Sequence, residues 1–223
     1  MTSFQRARSA EQRTERRRMI MDTAAAMLTE MPVAQVSLNE LSRRVGLAKS
    51  NVLRYFESRE AVLLELLDAR SHEWLDQLDD TLTAAVDPAA TPARRGDQLA
   101  AALAASLARH PVLCDLISAQ AAVLEHNISP QVAARFKRAA IAGVTTLADV
   151  LRRQVPELGE HAAVRFAGAA IMVTGAVWTH TRPSAAMLAA YDADPSLAAL
   201  RLDFTATLRE VFEMLITGLL TRP

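Results

Sequence analysis

One cysteine, Cys114, stands in the 223 residues, so no intramolecular disulfide framework is available and a reducing, cytoplasmic setting is expected. Aromatic residues make up only 4%, which counts against strand-rich folds, because pleated sheets favour aromatic and β-branched side chains. The seven glycines are scattered, and there is no Gly-rich phosphate loop, Gly-x-Ser-x-Gly elbow, His-Glu-x-x-His or paired-cysteine motif. These absences argue against an enzyme, and no catalytic residue, cofactor or metal is expected. His110 and Cys114 lie four apart, a spacing that would align two metal ligands on a continuous helix, but Pro111 intervenes and no third ligand is evident. A capping histidine and a buried thiol account for the pair better. The start, MTSFQRARSAEQRTERRR, is charged and leads into no apolar h-region, so no signal peptide is read. The longest uncharged stretch, residues 166–181, includes Thr174, Gly175, Thr179 and His180 and falls short of the roughly 20 apolar residues of a membrane span. It reads as a buried core helix, and no membrane partner is expected.

What the chain does have is helix formers. It is 51% hydrophobic, rich in alanine and leucine, and 22% charged, enough for one compact unit or two small ones. An all-α fold of about nine helices is expected. Net charge is zero, yet residues 1–56 hold ten Lys/Arg against five Asp/Glu. A basic front on an acidic body suggests a polyanion-binding module joined to a part with other duties.

The first helix is expected from about Glu11 to Glu30, with Ile20, Ala24, Leu28 and Met31 at helical spacing and Pro32 ending it. Ser37-Leu-Asn-Glu40 reads as a capping box, in which Ser37 takes an orphan amide and the Glu40 carboxylate reaches back. The short helix it opens has Leu38, Leu41 and Val45 as its stripe, and Gly46 suits a left-handed stop. Another short helix is expected over residues 49–56, then a long one from Ser58 to about Ala85. Thr91-Pro92 opens a further helix ending near His110-Pro111. Others should span residues 112–124, 130–154 (after a Ser129 cap), 161–180 and 202–220, with a looser segment over 181–200 that holds an Asp194-Pro195 cap pair.

The chemistry concentrates in SLNELSRRVGLAKSNVLRYF. Ser42 is small where two helices would cross, Gly46 permits a sharp turn, and Val52 plugs the space between them, which is helix-turn-helix spacing. At eight residues the second helix would be about 12 Å long, close to the major-groove width. Lys49, Ser50 and Asn51 on its first turn are the base-edge candidates, because Asn pairs with adenine, Ser donates or accepts, and Lys reaches guanine or phosphate. Arg54 and Tyr55 lie a turn further on, placed for the backbone, and Ser37 at its helix N-terminus can hold another phosphate. Arg43, Arg44 and the arginines of residues 6–18 add salt-dependent affinity through counterion release. The alternative for all of these is a helical hairpin whose charges face water.

In the run VSLNELSRRVGLAKSNVLRYFESREAVLLELL the chain closely resembles the TetR family of bacterial regulators. The match rests on the leading amphipathic helix, Val36-Ser37, Gly46-Leu47, Tyr55-Phe56 and Ser58 to Leu63. It departs at Ala48, where the family often has Ser or Thr, and at Leu53, where it often has Tyr. Both lose a phosphate contact, and Ala48 has no oxygen to cap its helix. The resemblance implies a repressor that binds a palindromic double-stranded operator as a homodimer, with a small-molecule effector that moves the recognition helices off their roughly 34 Å half-site spacing. On it, residues 1–57 form the arm and DNA-binding domain, and residues 58–223 the effector-binding and dimerisation domain, with 58–85 as connecting helix.

Candidates to line a pocket for a hydrophobic effector are Trp74, Phe136, Phe166, Met172, Trp178, Met187 and Tyr191, although an aromatic or methionine at helical spacing packs the interior far more often than it lines a pocket. Gly168 and Gly175 give residues 161–180 a small-residue face, which fits either a dimer seam or intrachain packing. Leu208, Val211, Leu215 and Leu219 give the last helix its stripe. A helical interaction module without DNA binding fits the amphipathic helices alone; the basic front and the turn signature favour the regulator.

Overall fold

A computed structural model describes the backbone of residues 3–221 and the side chains of residues 11–221. Among the described residues there is no strand, and ten α-helices follow one another, so the fold is all-α as expected. They are α1 (Ser3–Glu30), α2 (Leu38–Val45), α3 (Lys49–Val52), α4 (Arg59–Ala85), α5 (Pro92–Ala108), α6 (Pro111–Ala119), α7 (Pro130–Gln154), α8 (Gly159–His180), α9 (Ala185–Ala193) and α10 (Phe204–Leu220).

The chain forms two compact units. One takes in the chain up to Ala69 together with Ala119–Arg138; the other holds Arg70–Ser118 and the chain from Ala139 onward. In the first unit α1 begins at Ser3, eight residues before the expected start at Glu11. Ile20, Ala24, Met27 and Leu28 are its buried face. The distant segment is fastened by acceptors that follow the recognition region. Glu57 Oε1 accepts the Ser129 amide at 2.6 Å, and Glu65 accepts from Arg135 at 3.3 Å.

The turn between α2 and α3 forms for the expected reasons, with one correction. Ser37 caps α2 by accepting the Glu40 amide at 3.1 Å, and Gly46 ends it at φ +72°, a left-handed conformation that costs a glycine least. The capping box, however, is half made. The Glu40 carboxylate turns to Arg43 and Arg44 instead of reaching back, since two guanidiniums offer stronger charge-assisted bonds than one amide. A second correction concerns α3, whose regular helix is Lys49–Val52 and not eight residues long. Beyond it the amides of Arg54 and Tyr55 bond three residues back, to Asn51 and Val52, so the chain tightens into a 3-10-like turn.

In the second unit Thr91 caps α5 with Pro92 at its first position. α5 lies close against α10: a Cβ added to Gly96 would stand 2.8 Å from Ile216 Cγ2. The two glycines of α8 have different surroundings. Gly175 is packed within the chain, 3.2 Å from the Ser118 Cα for an added Cβ, whereas nothing approaches Gly168 within 4 Å. The segment read as loose contains α9, capped by Ser184. None of its residues is buried, so it rests on alanine propensity and its cap. Asp194 accepts the Ser196 amide in a turn, and it is Asp203 that starts α10, accepting from Ala206 at 2.8 Å.

By length and composition one helix among the described residues, Pro156–His180 with its leading turn, is long and apolar enough to cross a membrane, and 44% of its most apolar 18-residue stretch is buried. Phe166, fully buried, meets Phe212 of α10 edge-on at 5.5 Å, which is packing expected of a core helix.

Candidate nucleic-acid interface

The first unit presents one end of α3 and the turn after it. Val52 is fully buried and Ser42 is 4% exposed, so the small and aliphatic positions of the motif lie inside. Ser42 also returns its hydroxyl to the Leu38 carbonyl at 2.7 Å, which settles a buried polar group locally. On the opposite side Lys49, Ser50, Asn51 and Arg54 are exposed. Ala48, the α3 N-cap, provides no side-chain hydrogen bond, so the first amides of the helix remain available to an acceptor.

The arginines sort by partner. Arg43 holds Glu40 with two nitrogens, at 2.8 and 2.6 Å. Arg44 holds Glu40 at 2.8 Å and Glu30 at 2.7 Å. The Glu40 carboxyl is thereby lowered to about 2, by the hydrogen bonds from Arg43 first and Arg44 second. Arg17 donates to the Tyr55 carbonyl and to Glu65 and lies over the Phe56 ring, 4.2 Å from its centroid. Arg59 donates to the Val36 carbonyl at 2.9 Å and to Glu60 at 3.0 Å. These four brace the fold, whereas Arg13, Arg16, Lys49 and Arg54 make no ion pair or side-chain hydrogen bond among the described residues. Arg6 and Arg8 lie outside the described side chains. Ser37 is exposed, and its hydroxyl, accepting from the Glu40 amide, keeps its own proton to donate.

Of the seven residues named for a pocket, Trp74 lines a narrow apolar cavity of about 20 Å³ in the second unit. Its indole N–H donates to the buried Ser106 hydroxyl at 3.0 Å. The cavity is also lined by Leu103, Leu107, Ile117, Leu147, Thr174 and Phe212 among others, positions that sequence spacing cannot tell from ordinary core. Phe166 is buried behind Phe212. Trp178 donates to Asp115 at 3.2 Å and carries Arg182 4.5 Å over its ring. Phe136 belongs to the first unit. Met172, 72% exposed, and Met187, 47% exposed, face outward, and Tyr191 is half-buried on α9.

Around Cys114 the thiol donates to the Leu107 carbonyl at 3.4 Å, and burial pushes it up to about 12. His110 gives its carbonyl to the Cys114 amide at 3.1 Å, so the pair serves the start of α6. A thiol held protonated is a poor metal ligand.

Comparison with known proteins agrees with this geometry. Residues 68–223 match the family model described as tetracyclin repressor-like, C-terminal domain, and residues 20–66 match that of bacterial regulatory proteins of the tetR family. Over 54 residues the chain is 39% identical to the HTH-type transcriptional regulator EthR of Mycobacterium tuberculosis, a match covering 24% of this chain and 25% of that protein. The alignment thus spans about a quarter of the length of these curated relatives. A solved structure described as a possible TetR family transcriptional regulator of Streptomyces coelicolor A3(2) shares the fold, with a TM-score of 0.57 at 21% identity over 91% of this chain and 98% of the other. So does the regulator FadR of Bacillus subtilis, solved in complex with stearoyl-CoA, with a TM-score of 0.55 at 14% identity over 90% and 97%. With its helix-turn-helix and its long helical remainder both accounted for by family models, this chain belongs to the TetR family of DNA-binding bacterial transcriptional regulators.

Proposed function

We propose that the protein is a repressor that binds a palindromic double-stranded DNA operator as a homodimer and is released by a small hydrophobic effector. One observation carries the DNA reading: Lys49, Ser50 and Asn51 project from the exposed first turn of α3 with no side-chain partner among the described residues. Those groups are matched to base edges, and Arg54, Tyr55 and Ser37 to the backbone on either side. Arg43 and Arg44 contribute when phosphate competes with Glu40 for them. Residues 1–57 serve as the DNA-binding part and residues 58–223 as the effector-binding and dimerisation part, in the cytoplasm.

The homodimer reading draws on the outward faces of α8 and α10. Val164 at 41%, Met172 at 72% and Met214 at 59% are exposed apolar groups, and Gly168 and Gly218 leave open space beside them. A twofold contact there would match the symmetry of a palindrome.

The effector would enter beside Trp74. A cavity of about 20 Å³ holds about one water, so a ligand must part the helices, and it acts through its preference for the parted conformer. FadR, of the same fold, was solved with stearoyl-CoA, which makes long acyl chains the first class to screen.

The test is selection of genomic fragments by the purified protein, beside Asn51→Ala and Lys49→Ala at fixed salt. A palindrome recovered by the parent and bound less selectively by the variants is expected. No enrichment over random duplex, from folded protein, refutes DNA recognition.

A further inference from the structure

The residues that line the narrow cavity of the second unit, from Trp74 and Leu103 to Thr174 and Phe212, include no ionisable side chain. Its polar groups are the Trp74 indole N–H, the Thr174 hydroxyl and, one hydrogen bond away, the Ser106 hydroxyl. We infer that this cavity opens for an apolar molecule bearing an uncharged carbonyl, such as an ester, thioester or lactone of an acyl chain, and that Ser106 donates the hydrogen bond that recognises it. The inference rests on the effector reading above and names the chemical class.

The donors carry the argument. Trp74 gives its N–H to Ser106 Oγ at 3.0 Å. Thr174 gives its hydrogen to the Ala170 carbonyl at 2.7 Å. Ser106 accepts from the indole, but its own hydrogen meets no acceptor among the described residues, although the residue is only 3% exposed. A buried hydroxyl in a folded protein ordinarily has its hydrogen bonded. Here one donor remains for a ligand, and the bond from the indole polarises it further. Ser106 stands on α5 between Leu103 and Leu107, both of which line the cavity.

Charge selects the acceptor. No cation lines the cavity, and burying an unpaired carboxylate is strongly unfavourable. The Cys114 thiol, which donates to the carbonyl of Leu107 at 3.4 Å, shows the same surroundings acting on an anion, because burial pushes it up to about 12. A free fatty acid is therefore disfavoured. An ester carbonyl is a neutral acceptor that asks for a donor only, whereas an alcohol brings a hydrogen that needs an acceptor of its own.

The experiment measures binding of methyl octanoate, octane, octanol and octanoate to the full-length protein, by headspace partitioning for the volatile ligands and by calorimetry for octanoate. The proteins are the parent, Ser106→Thr, which keeps the hydroxyl, and the double variant Trp74→Phe/Ser106→Ala. The double variant removes both donors together, so that neither partner is left orphaned. We expect the parent to bind the ester and not octanoate. The ratio of ester to octane affinity should fall about fivefold in the double variant and be kept in Ser106→Thr. The infrared stretch of the bound ester carbonyl should lie lower in the parent than in the double variant. If none of these ligands binds the folded parent, the effector reading at this cavity fails and the inference with it. If ester and octane bind but the double variant changes neither their ratio nor the carbonyl stretch, the effector reading stands and the carbonyl inference is overturned. Tighter binding of octanoate or octanol than of the ester overturns it as well, in favour of an acid or a hydroxyl ligand.

Discussion

The guanidinium carbon of Arg17 on α1 lies over the ring of Phe56, 4.2 Å from its centroid, while its nitrogens reach the Tyr55 carbonyl and Glu65. One planar guanidinium thus closes the end of the recognition turn, caps an aromatic and pairs with α4. Lysine carries the charge but neither the plane nor the fork. Arg17→Lys is expected to destabilise the protein by about 1–2 kcal/mol and to blunt operator selectivity more than affinity for random duplex. Urea melts beside a competition assay check both; unchanged selectivity at reduced stability would show that Arg17 does not position the turn.

Glu40 holds Arg43 and Arg44 away from solvent anions. Glu40→Gln should free Arg43, while Arg44 keeps its pair with Glu30 at 2.7 Å, and should tighten duplex binding and steepen its salt slope by about one. A slope equal to the parent's would mean that Arg43 does not meet DNA. The pH dependence has a defined sign: the folded carboxyl is lowered from 4.5 to about 2, so what this cluster contributes to stability is present above about pH 4.5 and is lost as pH falls through about 2. Carboxyl chemical shifts followed down to that pH test it.

Gly96 is where α5 and α10 approach, and the atom an added methyl would meet, Ile216 Cγ2 at 2.8 Å, sits on a stiff β-branched side chain. Gly96→Ala should therefore cost about 1–3 kcal/mol, despite alanine's better helix propensity. Adding Ile216→Leu, which removes that branch, should recover part of the stability in a double-mutant cycle. A neutral Gly96→Ala would show the pair of helices free to separate.

The hydrogen bond from the Trp74 indole to Ser106 is internal to the second unit, with Ser106 3% and Trp74 6% exposed. Ser106→Ala leaves the N–H unpaired and should cost about 1–3 kcal/mol. The cavity beside it gains room, so a hydrophobic effector should raise the melting temperature of the variant more than that of the parent. Calorimetry with and without acyl ligands separates the two effects.

Much of the first unit was legible because its signals are local. Ser37, Gly46 and Val52 act within their own turns, and a cap, a left-handed stop and a buried plug read the same in a sequence as in a structure. The sequence could not show that Glu40 would prefer Arg43 and Arg44 to its own backbone, because the choice depends on competing partners in space. Nor could it separate Arg13 and Arg16 from Arg17, whose role requires Phe56 and Glu65, 39 and 48 positions on. Met172 and Phe166 lie six apart on α8 and so on different sides of it, but periodicity does not say which of the two sides is buried.

The amino-acid sequence by itself determined the all-α class, most helix boundaries, the turn between α2 and α3 and the membership in this family, because propensity, capping and short-range sterics act over a few residues. Tertiary structure alone decided which arginines are spent in ion pairs and which stand free, that Ala119–Arg138 joins the first unit through Glu57 and Glu65, and that Gly175 is core while Gly168 lies open. Those outcomes depend on side chains distant in sequence meeting in space, where burial and charge pairing select among partners that composition and periodicity leave equivalent.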